Sequence, residues 1–255
     1  MTSWGLTAVR ILRGGWRVEA SMAMVPGALT LALLLGLAAC GRGPGGPATP
    51  PPSDAGSFEA DAPGARSDER LPRVVALGDS LTAGYGLPED QAYPAVLQRL
   101  VDAAGYRYNV ANMGVSGDTS AGGLRRADWA LEGDVRVLIV ALGANDGLRG
   151  LSPADLEANL RQIADRARAR GAAVVLCGME APPNFGAAYT SAFRQVYPRV
   201  ARETGATLVP FLLAGVAGRP ELNQADGIHP NARGAELMAR LVWARLQPLL
   251  DDLDP

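Results

Sequence analysis

A single histidine, His229, stands in the stretch Asp226-Gly-Ile-His229-Pro-Asn, and all 24 basic residues of the 255-residue chain are arginine. Imidazole is the side chain that ordinarily changes charge near neutral pH, so imidazole chemistry falls to His229 alone. The absent residues exclude as much. A Schiff base, a Ser-Lys dyad and a phosphate-loop lysine all need a lysine that the chain lacks. Its two cysteines, Cys40 and Cys177, and one histidine cannot furnish a zinc site of several His and Cys, so neither a metal nor a cofactor is expected. An Asp three residues before a His is weak evidence in a chain this rich in Asp. The pair gains meaning only if a nucleophile and a set of hydrogen-bond donors lie elsewhere.

Such groups need elements to carry them. From residue 73 onward, apolar runs at 73–78, 108–112, 135–142, 173–178 and 207–211 alternate with helical patterns near 91–104, 121–131, 153–169 and 188–204. Near-continuous apolar strands are those of a parallel sheet buried on both faces. Ser152-Pro153 reads as an N-cap with proline in the first turn, ahead of a stripe of Leu156, Leu160, Ile163 and Ala167. A last helix is expected after Pro230, ending near Leu250. The pattern predicts an α/β fold with helices on both faces of the sheet, whose sites lie at the carboxyl ends of the strands. Cys177 falls within a strand and reads as a small buried hydrophobe.

Four polar clusters fall at those strand ends. They are Gly78-Asp79-Ser80-Leu81, Asn112-Met-Gly114-Val-Ser-Gly117, Gly143-Ala-Asn145-Asp146 and Asp226-x-x-His229. Each has an ordinary reading as a turn or helix cap; their joint position at one sheet edge makes them a candidate site. Ser80 is a weak nucleophile that needs a base, His229 can accept its proton, and Asp226 can hold the other ring nitrogen. Pro230 suits the first turn of the final helix, which would put His229 on a rigid element. The backbone N–H groups of Ser80 and Gly114 and the amide of Asn145 are candidate donors to a tetrahedral oxyanion. Thr82 breaks the Gly-x-Ser-x-Gly pattern of the α/β-hydrolase elbow. Ser116 is the alternative nucleophile. Asp79, Asp118 and Asp146 read as loop-ordering residues, and Arg125 and Arg126 as solvated helix residues.

These blocks resemble the signature of the GDSL, or SGNH, hydrolases, whose Ser, Gly, Asn and His correspond to Ser80, Gly114, Asn145 and His229. The resemblance spans about residues 73–250. It implies a three-layer α/β/α, flavodoxin-like fold with a central, mostly parallel five-stranded sheet, and a serine esterase. Gly84-Tyr85-Gly86 and Pro182-Pro183-Asn184-Phe185-Gly186 are similar to the bacterial thioesterase/arylesterase/lysophospholipase branch, which implies aryl esters, short-to-medium acyl esters, thioesters and lysophospholipids as substrates. Removal of O-acetyl groups from envelope glycans is the alternative within the enzyme class, and a non-catalytic envelope binding module the alternative outside it. Residues 179–197 are apolar for a connection at the active edge. They read either as ordinary packing or as a substrate wall with Pro183, Phe185 and Tyr189 as contacts.

The remaining chain bears on location. Arg10, Arg13 and Arg17 precede an apolar run at 24–39, the pattern of a secretory signal and short for a bilayer span of about 30 Å. Leu37-Ala-Ala-Cys40 resembles the bacterial lipobox, which implies cleavage before Cys40 and its lipidation; the alternatives are a plain signal peptide, which would leave a periplasmic or secreted protein, and an uncleaved anchor. The Gly that follows implies the outer membrane by resemblance to Gram-negative lipoproteins. Residues 40–72, rich in Pro and Gly, read as a disordered tether, 73–250 as the catalytic domain and 251–255 as a tail. The expected partners are a small-molecule or lipid ester and, through Cys40, a membrane. A net charge of −2 and 5% aromatic residues argue against nucleic acid.

Overall fold

Hydrophobic runs too apolar to leave one face in water form the centre of the molecule. In the computed structural model, which describes residues 71–253, five parallel strands form one sheet in the order β2-β1-β3-β4-β5. They are β1 (Arg73–Gly78), β2 (Asn109–Gly114), β3 (Val135–Ala141), β4 (Ala173–Cys177) and β5 (Thr207–Val209). Val74–Leu77 of β1 and Val137–Val140 of β3 have no solvent exposure, as strands covered on both faces require.

Among the described residues, eight α-helices connect and cover the strands: α1 (Ser80–Ala83), α2 (Tyr93–Ala103), α3 (Ser120–Arg125), α4 (Ala127–Ala130), α5 (Ala144–Leu148), α6 (Pro153–Ala169), α7 (Ala187–Thr204) and α8 (Ala232–Leu253). Helix α2 packs beside α8, and α6 packs beside α3 and α7. Helix α6 starts as its sequence dictates. Ser152 Oγ accepts from Asp155 N at 3.3 Å, Pro153 fills the first turn, and Leu156, Leu160, Ile163 and Ala167 are buried. Chain progression reverses direction at β1: β2 lies on one side of it and β3 on the other. The crevice outside the carboxyl ends there is where such sheets hold ligands.

Several boundaries differ from the sequence reading for physical reasons. Strand β2 runs to Gly114 because Asn112, Met113 and Gly114 pair in register with Ala76, Leu77 and Gly78. Strand β5 stops at Val209 because Pro210 has no N–H to give the ladder. The expected helix at 121–131 is two helices broken at Arg126. Helix α8 begins at Ala232, two residues after Pro230, and continues to Leu253, so most of the expected tail is helix.

Candidate active site

The first cluster is built by the turn from β1 into α1. Asp79 caps that helix, its Oδ1 accepting from Leu81 N at 3.0 Å, and Ser80 opens the helix. Ser80 Oγ lies 3.0 Å from His229 Nε2, although 149 residues separate them in the chain. Behind the imidazole, His229 Nδ1 lies 2.7 Å from Asp226 Oδ2. Asp226 Oδ1 accepts from the backbone N–H groups of Ile228 and His229, each at 2.9 Å. The His229 N–H, then the imidazole and the Ile228 N–H, hold the Asp226 carboxyl down at about 2. A carboxylate fixed at Nδ1 favours the tautomer protonated there, which leaves Nε2 free to accept from Ser80. His229 lies on the loop before α8 and not, as Pro230 suggested, at the rigid start of a helix; Pro230 instead bridges to Asn223.

The donor set needs one correction. Gly114 lies inside the β1–β2 pairing, and its N–H donates to Asn112 Oδ1 at 3.0 Å. It is glycine for another reason. A Cβ there would fall 2.1 Å from Ala83 N, so β2 reaches α1 only without a side chain. Gly117, three residues on, lines the cleft at Ser80 instead. Its φ of +83° turns the chain back towards α3, a conformation that glycine adopts without steric cost. Its N–H has no partner among the hydrogen bonds of the described residues. Asn145 borders the same cleft; its Nδ2 donates to Asp118 O at 2.9 Å and, more weakly, to Asp79 Oδ2 at 3.4 Å, the bond it would give up to meet an oxyanion. Ser80, Gly117 and Asn145 thus line one opening.

The supporting acids order loops, as expected. Asp146 is buried and accepts from Ser120 N at 2.8 Å and Ser120 Oγ at 2.6 Å, while Asn159 Nδ2 donates to the same hydroxyl. Asp118 pairs with Arg126. That arginine is not the solvated residue expected. Its guanidinium donates to Asp118 Oδ2, Met113 O and Gly78 O at 2.7, 2.6 and 2.7 Å. Asp79 is fully buried, and burial pushes its carboxyl up to about 6 against the opposing Leu81 and Asn145 hydrogen bonds. Burial likewise pushes the Cys177 thiol up to about 12, keeping it an inert part of the core.

The cleft holds about 340 Å³ and runs from Ser80 past the ends of β3, β4 and β5. Leu148, Met179, Pro182, Leu213 and Ile228 make most of its wall apolar, and Ser116 borders it without a bond to His229 among the described residues. The residues 179–197 contribute Met179, Glu180 and Pro182, whereas Pro183, Phe185 and Tyr189 lie outside the lining. Tyr189 Oη donates to Leu151 O at 2.8 Å, and Phe185 packs on its ring with centroids 5.3 Å apart. These two aromatics brace the loop after α5, from behind the wall.

A nucleophile–imidazole–carboxylate line beside converging N–H donors can add a hydroxyl to a carbonyl and stabilise the resulting oxyanion. Comparison with known proteins agrees with that chemistry. Residues 76–237 match the GDSL-like lipase/acylhydrolase family. The chain is 46% identical over 178 residues to the esterase TesA of Pseudomonas aeruginosa, covering 69% of this chain and 89% of that one. It is 39% identical over 179 residues to thioesterase 1/protease 1/lysophospholipase L1 of Escherichia coli K12, covering 70% and 85%. A crystal structure of TesA superposes with a TM-score of 0.67 at 45% identity, covering 69% of this chain and 99% of that one.

Proposed function

Because this chain belongs to the GDSL-like lipase/acylhydrolase family, we propose that it hydrolyses carboxylic esters and thioesters through an acyl-enzyme on Ser80. The observation that carries this reading is the Ser80 Oγ–His229 Nε2 contact of 3.0 Å, backed by Asp226 at 2.7 Å. His229 takes the Ser80 proton as Oγ attacks the carbonyl, and the imidazolium gives that proton to the leaving alcohol or thiol. Water then repeats the sequence in reverse and releases the acid. The oxyanion of each tetrahedral intermediate is met by Ser80 N–H, Gly117 N–H and the Asn145 amide. Asp226, ionised down to about pH 2, stabilises the imidazolium throughout.

The apolar wall and a volume near the small end of ligand sites favour aryl esters, short-to-medium acyl chains and single-chain lipids such as lysophospholipids. Ser80→Ala should abolish p-nitrophenyl ester hydrolysis and labelling by a serine-directed fluorophosphonate; labelling that persists on another residue overturns the nucleophile assignment. Asn145→Ala should lower turnover by about 10²–10³, the loss typical of one oxyanion donor.

The segments that bear on location lie outside the described residues, and sequence alone supports the reading of them. The basic start, the apolar run at 24–39 and Leu37-Ala-Ala-Cys40 favour export and lipid attachment at Cys40, with 40–72 as a tether and the domain on the periplasmic side of the outer membrane. Acyl chains on Cys40 would hold the protein at the membrane by burying methylenes worth about 0.8 kcal/mol each.

A further inference from the structure

His229 must return to the same place over Ser80 in every cycle, yet it lies on a loop rather than on a helix or strand. The loop is closed at its base by the bridge between Asn223 and Pro230, and its tip, residues 225–228, is exposed. Among the described residues, two hydrogen bonds join this loop to the nucleophile's segment. One is the Ser80–His229 bond itself, which is lost whenever the imidazole turns its proton to the leaving group. The other is Gln224 Nε2 donating to Tyr85 O at 2.6 Å.

We infer that the Gln224 side-chain amide is a positioning residue that holds the base loop over the nucleophile. The same Nε2 donates to Pro230 O at 3.0 Å, so its two hydrogens are divided between the two segments. The Gln224 backbone N–H donates to His229 O at 2.7 Å, and the Tyr85 N–H donates to Ser80 O at 3.0 Å. A continuous path of hydrogen bonds therefore runs from Ser80 through Tyr85 and Gln224 to His229 and Pro230, independent of the bond that the reaction breaks. Two further features fit. A Cβ on Gly86 would fall 2.2 Å from Gln224 Oε1, so the segment after Tyr85 is shaped around this amide. The Tyr85 ring packs on the imidazole with centroids 4.7 Å apart, so fixing the Tyr85 backbone also fixes a wall against His229. Gln224 touches no reacting atom and acts through the placement of His229.

Two variants isolate the donor. Gln224→Met keeps the length without hydrogen-bonding ability, and Gln224→Glu puts an acceptor against two carbonyls. With p-nitrophenyl butyrate, each should lower kcat by about 10- to 100-fold, the size of effect that ångström-scale misplacement produces, with KM within about twofold. Fluorophosphonate inactivation should slow by the same factor, while the thermal midpoint moves by only a few degrees. Turnover within twofold of the parent in both Gln224 variants overturns the inference. So does a rise in KM at constant kcat, which would make Gln224 a binding group, or loss of folding in both, which would make it a stability residue. The inference rests on Ser80 and His229 being the catalytic pair, and Ser80→Ala separates the two failures. Activity surviving in Ser80→Ala removes the pair; an inactive Ser80→Ala beside fully active Gln224 variants removes only the clamp.

Discussion

Asp79 carries opposed demands one residue before the nucleophile. It must accept from Leu81 N–H to start α1, which favours a carboxylate, and it is fully buried, which favours the acid. Burial wins: the carboxyl rises from 3.8 to about 6. The folded protein therefore keeps a proton that the unfolded chain releases over this window. The corresponding contribution to stability is complete below pH 3.8 and is lost as pH rises through about 6. Asp79→Asn keeps an acceptor for Leu81 and removes the titration. The thermal midpoint of the parent relative to this variant should fall between about pH 4 and pH 6 and level off above; a difference that stays constant over that range would contradict the assignment. Asp226 works in the opposite sense. Its lowered carboxyl contributes stability above the ordinary 3.8, lost as pH falls through about 2. Ser80, Asn145, Asp226 and His229 are open to the sequence reading because each sits in a short polar motif, and the structure brings Ser80, Asn145 and His229 to one cleft with Asp226 behind the imidazole. The sequence reading does not separate Gly114 from Gly117, because the Asn112 side chain that takes the Gly114 N–H and the positive φ that turns Gly117 into the cleft both depend on where β2 ends, which no local pattern marks.

Helix α6 and Arg126 mark the limits of legibility at the scale of elements. Every cause of α6 lies within its own residues: a Ser cap, a Pro in the first turn and a periodic apolar stripe. Arg126 has its causes elsewhere. Its guanidinium ties the last residue of β1, the penultimate residue of β2 and the loop before α3, and drawing it inward breaks the expected helix into α3 and α4. Its planar fork spreads donors over three acceptors, which a lysine ammonium at the end of a flexible stem would not reproduce. Arg126→Met would leave a largely buried Asp118 carboxylate without its partner and take one donor from Met113 O and one from Gly78 O, which keeps the Val115 N–H. It should cost about 3 kcal/mol in urea unfolding, the loss expected when one partner of a buried ion pair is removed. Arg126→Lys should recover only part of that. A cost below about 0.5 kcal/mol, typical of a surface substitution, would return Arg126 to the solvated role its sequence position suggested.

For the whole molecule, the direction of β1 sets where the described domain begins relative to its chemistry. The strand enters the sheet at Arg73 and delivers Ser80 just past Gly78, so the preceding chain joins the domain at the end of the sheet remote from the cleft. Six residues at about 3.3 Å each put roughly 20 Å between the two ends. Every group named in the site, and each hydrogen-bonded support described for it, lies between Gly78 and Asn231. The core that holds them is formed by residues 74–250. Under the proposed anchoring, location and turnover should therefore be separable. Cys40→Ser in the full chain should move the protein from the membrane fraction to the soluble fraction, with kcat/KM on p-nitrophenyl butyrate unchanged. A chain beginning at residue 71 should likewise fold and hydrolyse that soluble ester within about twofold of the full-length rate, since a core of this size is ample for an independent domain. Membrane retention of Cys40→Ser would count against lipid attachment. Loss of turnover in the shortened chain would assign residues 1–70 a part in supporting the cleft, because the truncation leaves every proposed catalytic atom in place.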